Sequence, residues 1–175
     1  MSFSPVPRYS FRELTDISPE FLTRIGVKFL MLDLDNTVAA YSESSPSESV
    51  VSWFARLKER GIELFIVSNS ARSARVEAFS NALKIGFVMG ASKPSPKIVA
   101  RTMKESGYDP GESALVGDQI YTDTLAANRA GVISIIVRPR RFTNPFLAMR
   151  YALEAPFRVI CRCRARFMNN RRKTI

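Results

Sequence analysis

Four short segments hold side chains suited to moving a phosphoryl group: Asp33-Leu34-Asp35-Asn36-Thr37, Ser68-Asn69, Lys93-Pro94, and Gly117-Asp118-Gln119-Ile120-Tyr121-Thr122-Asp123. A carboxylate that attacks phosphorus must approach an anion, so its own charge has to be offset. A divalent cation bridging the two groups does this, and Mg²⁺ favours a few carboxylate oxygens together with water and phosphate. Asp33, directly after an apolar run, suits the nucleophile. Asp35 can protonate the departing alkoxide and later deprotonate the attacking water, and its backbone carbonyl is a candidate metal ligand. Asp118 would complete the metal site with Asp33. Ser68 can bond a phosphoryl oxygen, and Lys93 balances the crowded negative charge. Thr37 steadies the turn and joins Ser68, Asn69 and Lys93 as a candidate phosphate contact. Asp123 would hold a metal-bound water or the Lys93 ammonium from behind the ligands.

Each segment taken alone is unremarkable. Asp-x-Asp after a strand is ordinarily a turn or cap, Ser68-Asn69 reads as a helix N-cap, and Asp118 could cap the helix after it. Unrelated caps would not supply a complete site in order, and it is the ordered set that points to chemistry.

The elements that must position these groups alternate along the chain. Apolar runs at 27–32, 64–67, 87–89, 114–116 and 132–137 are short and mostly continuous, as expected for strands covered on both faces. Helical spacing predicts helices over 49–60, 71–83, 96–106 and 121–130, with Gly61 and Gly131 closing the first and last. The pattern predicts an α/β sandwich with a mainly parallel five-stranded sheet and helices on both faces. Ligands of such sheets bind at the carboxyl ends of the strands. Residues 5–26 read as an N-terminal arm with a short helix over 19–25, and 39–48 as a loop beside the rim. Residues 144–154 are predicted helical, with Pro156 interrupting. Beyond it, Phe157, Ile160 and Cys161 fit a helix face, while 162–166 alternate like a strand.

Composition narrows the chemistry. The 175 residues include no histidine, which excludes Ser-His-Asp, Cys-His and phosphohistidine catalysis and His-ligated zinc. Two cysteines, Cys161 and Cys163, make neither a disulfide framework nor a four-ligand zinc site. The net charge of +10 is confined to residues 138–175, where 11 Lys/Arg face the single acid Glu154. The division is therefore a core over 1–141 and a basic C-terminal helical extension or tail over 142–175. No apolar stretch reaches the length of a membrane span, and Met1-Ser2-Phe3-Ser4-Pro5 lacks a secretory layout. The expected location is cytoplasmic, peripheral on the inner face of the membrane where the tail docks.

The set Asp33, Asp35, Thr37, Ser68, Lys93, Asp118 and Asp123 resembles the haloacid-dehalogenase (HAD) superfamily of phosphatases. Asp33-Leu-Asp-Asn-Thr-Val, Ile66-Val-Ser-Asn-Ser, Lys93-Pro and Val116-Gly-Asp-Gln-Ile-Tyr-Thr-Asp look like the YqeG-type branch of its subclass IIIA. The lead-in Asp16-Ile-Ser-Pro-Glu-Phe-Leu fits as well, so the resemblance spans about 8–140. It implies a Rossmann-like core, an aspartyl-phosphate mechanism with Mg²⁺, and similarity to phosphatidylglycerophosphate phosphatases of phospholipid biosynthesis.

Neither the stretch from Thr37 to Ser68 nor that from Ser68 to Lys93 has room for a cap domain, so the rim is expected to be open. That suits a phosphate displayed on something large, such as a lipid headgroup. Arg158, Arg162, Arg164, Arg166, Arg171, Arg172 and Lys173, with Phe157, Ile160, Phe167 and Met168, are then expected to hold the protein on an anionic membrane. Two other readings stand beside this one. The first is a capless phosphatase of sugar phosphates, nucleotides, protein or nucleic-acid phosphates, with the tail on nucleic acid or an acidic protein. The second is an idle nucleic-acid- or ribosome-associated binding module. The sequence gives no oligomeric state.

Overall fold

The computed structural model describes residues 4–71, 73–142 and 145–172, with side chains described as far as Cys161 except at Ser73. Six strands form one sheet: β1 (Tyr9–Ser10), β2 (Phe29–Leu32), β3 (Glu63–Val67), β4 (Gly86–Val88), β5 (Ser113–Gly117) and β6 (Ile133–Ile136). All pairings are parallel, in the order β1-β6-β5-β2-β3-β4. The fold is the expected Rossmann-like sandwich with one strand more than the five predicted. The extra strand, β1, pairs Tyr9 with Ile135 and Ser10 with Ile136 at the sheet edge.

Central β2 explains why its apolar run does not alternate. All four of its residues are buried, because side chains of successive residues point to opposite faces and both faces are covered. Leu30 and Leu32 enter one core with Trp53, Phe54 and Phe79. Phe29 and Met31 enter the other with Val99, Leu115 and Ala126.

The helices covering these faces are α1 (Pro19–Arg24), α2 (Glu48–Glu59), α3 (Ser73–Leu83), α4 (Lys97–Glu105) and α5 (Leu125–Ala130). Ser18 caps α1 by accepting the Phe21 N–H at 3.1 Å. α2 buries Val50, Trp53, Phe54 and Leu57, one apolar stripe at helical spacing. Trp53 Nε1 donates to Ile17 O at 2.7 Å, which fastens the N-terminal arm to the core. The helix predicted over 121–130 is divided: Ile120–Thr124 is a π-helical turn, and α5 follows it. Such widened turns recur at functional sites.

The C-terminal segment departs most from expectation. One helix, α6 (Pro145–Arg172), runs straight through Pro156. A proline inside a helix removes one backbone bond and costs about 3 kcal/mol. The helix is held on both sides of that defect by buried side chains. Glu154 Oε1 accepts the Ile120 N–H at 2.8 Å. Arg158 donates to Val137 O at 3.0 Å and to Asp118 O at 2.5 Å, and pairs with Glu154 at 3.0 Å. Residues 162–166 are helical rather than strand-like. The expected contacts of Arg162, Arg164, Arg166, Phe167, Met168, Arg171, Arg172 and Lys173 lie outside the described side chains.

Candidate active site

The carboxyl ends of β2, β3 and β5 meet where the strand order turns back on itself, the place where open α/β sheets bind ligands. Asp33 follows β2, and its N–H donates to Val116 O on β5 at 2.9 Å. Ser68 follows β3. Its N–H donates to Val88 O at 3.0 Å, and its Oγ accepts the Ser70 N–H at 3.0 Å. Asp118 follows β5. Among the described residues no separate domain is inserted in the connections out of β2 and β3.

Lys93 is the hub. Its buried Nζ lies 2.7 Å from Asp33 Oδ1, 2.7 Å from Asp123 Oδ1 and 2.8 Å from Val67 O. Asn69 sets the loop that carries it, accepting the Lys93 N–H at 2.9 Å and donating to Lys93 O at 3.0 Å. The Asn69 side chain thus fastens the Lys93 loop and also lines the cavity where a phosphate contact is expected. The pairing of Asp123 with the Lys93 ammonium is one of its two expected placements. Gly117 makes that placement sterically feasible, because a Cβ at that position would overlap the Asp123 carboxyl. Asp123 Oδ2 also accepts the Gln119 N–H at 3.1 Å across the π-helical turn.

Asp33, Asp35, Ser68, Asn69, Lys93 and Asp123 share the wall of an open cavity of about 300 Å³, joined by Tyr41, Gln119 and Thr122. Thr37 is not on this wall. It lies buried beside a neighbouring cavity.

The charges do not balance. Asp33, Asp118 and Asp123 each bring a carboxylate oxygen within 4.8 Å of the other two, all buried, against one ammonium. Burial pushes the Asp33 carboxyl up to about 7, with Lys93 opposing and Asp123 and Asp35 adding to the rise. Burial, then Asp123 and Asp33, lift the Asp118 carboxyl well above the usual carboxylate range. Burial opposes the charge on Lys93, yet Asp123 and Asp33 beside it carry its pKa above the ordinary lysine value. Neither Asp118 carboxylate oxygen has a hydrogen-bond partner among the described residues. Crowded, buried, partnerless oxygens fit a hard divalent cation.

Three features of the site go beyond the sequence reading. Arg75 on α3 places Nε 3.2 Å from Asp35 Oδ1 and Nη2 2.8 Å from Ala40 O, and it also donates to Glu43 O. Tyr41 overhangs the cavity from the 39–48 loop. Its phenol is shifted up by burial and by the negative field of Asp35, Asp118 and Asp33. Arg158, expected to reach a membrane, is instead buried against the Asp118 backbone and stacks over Tyr151 at 4.5 Å.

Comparison with known proteins agrees with this geometry. A model of the haloacid dehalogenase-like hydrolases matches residues 8–131. The chain is 33% identical over 142 residues to the probable phosphatase YqeG of Bacillus subtilis, covering 81% of this chain and 82% of that protein. It is 26% identical over 158 residues to the glyceraldehyde 3-phosphate phosphatase of Methanopyrus kandleri, covering 77% and 68%. It is also 26% identical over 151 residues to phosphatidylglycerophosphate phosphatase 1 of Arabidopsis thaliana, covering 81% of this chain and 43% of the plant protein. The match extends across all four segments that meet at the rim, and on that ground the chain belongs to the haloacid dehalogenase-like hydrolases, as one of their phosphatases.

Proposed function

We propose that this phosphatase hydrolyses a phosphomonoester through an aspartyl-phosphate on Asp33 with Mg²⁺, and that its substrate is phosphatidylglycerophosphate. The observation that carries the chemistry is Asp118, a buried carboxylate with both oxygens unpartnered beside Asp33. Asp33, the Asp35 carbonyl and Asp118 would hold the ion, which offsets the charge of nucleophile and phosphoryl oxygens when bound. The Asp33 carboxylate forms the new O–P bond as the bond to the leaving oxygen breaks. Asp35, held by Arg75, gives its proton to that leaving oxygen. It then takes a proton from the water that releases phosphate and restores Asp33. Lys93 keeps Asp33 oriented and, with Ser68, stabilises the charge spreading over the phosphoryl oxygens.

The lipid reading is supported by the uncapped rim, the plant relative and the outer face of α6. Phe146, Met149, Leu153 and Ile160 recur at helical spacing and are 63%, 54%, 61% and 42% exposed. The chain beyond them, 162–175, holds six Lys/Arg and no acid. Each basic residue near an anionic bilayer contributes about 1 kcal/mol. Because Arg158 is a buried brace, the basic part of the docking surface begins after it. Truncation after Cys161 should abolish binding to phosphatidylglycerol vesicles, and unchanged binding would refute the docking role.

The deciding experiment is phosphate release with and without Mg²⁺, from phosphatidylglycerophosphate in mixed micelles, glyceraldehyde 3-phosphate and a 5′-phosphorylated oligonucleotide. Highest kcat/KM on the lipid is expected. Preference for either soluble substrate overturns the lipid assignment and leaves the mechanism intact, whereas full activity in chelator overturns the metal.

A further inference from the structure

We infer that a second cavity on the same rim binds a phosphodiester, and that it selects substrates carrying such a group beside the phosphomonoester. The cavity measures about 320 Å³ and lies past the carboxyl ends of β1 and β6, bounded by Arg12, Arg138, Arg140, Thr37 and Ser49 with Glu13 as its one acid. The backbone sets Arg12 and Arg138 side by side, the Arg138 N–H donating to Arg12 O at 3.2 Å. Arg140 is already engaged by Val38 O at 3.1 Å and Glu43 at 3.5 Å. Arg12 and Arg138 make no ion pair among the described residues.

Two further features point to an anion. The Thr37 hydroxyl, in a fully buried residue bordering this cavity, finds no partner among the described residues. Ser49 stands in the first turn of the twelve-residue α2, whose N-cap Ser47 makes no side-chain cap bond. The start of α2, the Thr37 hydroxyl and two planar guanidinium forks border the cavity with Glu13 as its one acid, and such forks match phosphate oxygens in pairs.

The two cavities share one wall. Asp35 and Tyr41 line the acidic one, and Thr37, between them in sequence, borders the basic one. Arg140 fixes this wall from the basic side, its N–H donating to Asn36 O at 3.0 Å. A substrate straddling the wall would put its monoester among Asp33, Ser68 and Lys93. Its second, permanently charged phosphate would meet Arg12 and Arg138. A substrate with one phosphate leaves those arginines in water. The inference deepens the lipid reading and rests on it for the identity of the substrate, though the site itself does not.

The test is the double variant Arg12→Ala/Arg138→Ala, read on two substrates and one ligand. KM for phosphatidylglycerophosphate in neutral-detergent micelles should rise about tenfold or more, from two lost charge-assisted contacts. KM for glycerol 3-phosphate should change by much less, which also reports that the variant is folded. Glycerophosphoglycerol, a phosphodiester with neither lipid nor monoester, should bind the wild type by calorimetry with Mg²⁺ present and lose that binding in the variant. Inorganic phosphate should bind both proteins similarly; if the variant loses phosphate and keeps the diester, the site is a free-phosphate site and the inference fails. Equal KM changes on both substrates, or diester binding unaffected by the variant, also overturn it. If the lipid is not hydrolysed at all while diester binding still depends on the two arginines, the substrate assignment falls and the site stands.

Discussion

The rim and the C-terminal helix both bury charge, and they bury it in opposite ways. At the rim, three carboxylates crowd a single ammonium, and both Asp118 oxygens lack a partner. On α6, Glu154 and Arg158 neutralise each other, and the backbone of Asp118, Ile120 and Val137 takes up their remaining bonds except that of Arg158 Nε, which finds no partner among the described residues. The first arrangement carries an excess of negative charge; the second is balanced within the chain. Unbalanced buried charge is costly and persists where chemistry needs it, whereas a balanced pair fixes a position.

The sharpest way to break this contrast is Asp33→Asn. Loss of the nucleophile should lower kcat by about 10⁴-fold or more. The fold should not suffer, because removing one of three crowded charges relieves repulsion: the thermal midpoint should hold or rise. A falling midpoint would mean that the rim charges are structural after all. The mirror experiment is Arg158→Ala, which strands Glu154 in the interior. Urea unfolding should show a loss of about 3–5 kcal/mol. Glu154→Gln/Arg158→Met together should cost much less, since no buried charge remains. If the single and double variants cost the same, the pair is not the brace.

Pro156 tests the same brace from another side. If the anchors on either side hold the helix through it, Pro156→Ala restores a backbone N–H to a helix that already exists. It should stabilise the protein by up to about 3 kcal/mol with activity unchanged. A loss of stability would show that the break in the hydrogen-bond ladder is itself needed.

The same contrast explains what the sequence discloses. Asp33, Ser68 and Asp118 are legible because each sits directly past the end of a strand in the sheet, and a parallel sheet delivers all such ends to one edge; Lys93 follows β4 only after a short turn. β1 is not legible, since two residues are too few for any periodicity to register. Arg158 reads from sequence as one more tail arginine. The available clue is Glu154 four residues before it, the spacing at which helical neighbours pair, but charge counting does not tell a buried pair from a solvated one. Asn69 reads as a phosphate contact because its type and place permit it; only three-dimensional proximity reveals that it also holds the Lys93 backbone. Arg75 is separated from Asp35 by 40 residues, and nothing near it in sequence marks the meeting.

Arg75 falls between the two classes and so gives the finest test. Its side chain and that of Asp35 are 12% and 16% exposed, neither sealed like the α6 pair nor left without partners like Asp118. It spans Asp35 on one side and the Ala40 and Glu43 carbonyls on the other, which makes it a positioning residue for the proposed acid–base group. Arg75→Ala should lower kcat by about tenfold, the equivalent of one charge-assisted bond at a partly wet site, with KM moving less. Arg75→Lys keeps the charge but cannot span both partners, because an ammonium lacks the planar fork. If charge alone matters, lysine restores kcat. If the fork sets the Asp35 geometry, lysine leaves kcat near the alanine value while recovering most of the stability. The second outcome is expected, because two of the three Arg75 bonds go to backbone carbonyls that hold the loop carrying Tyr41.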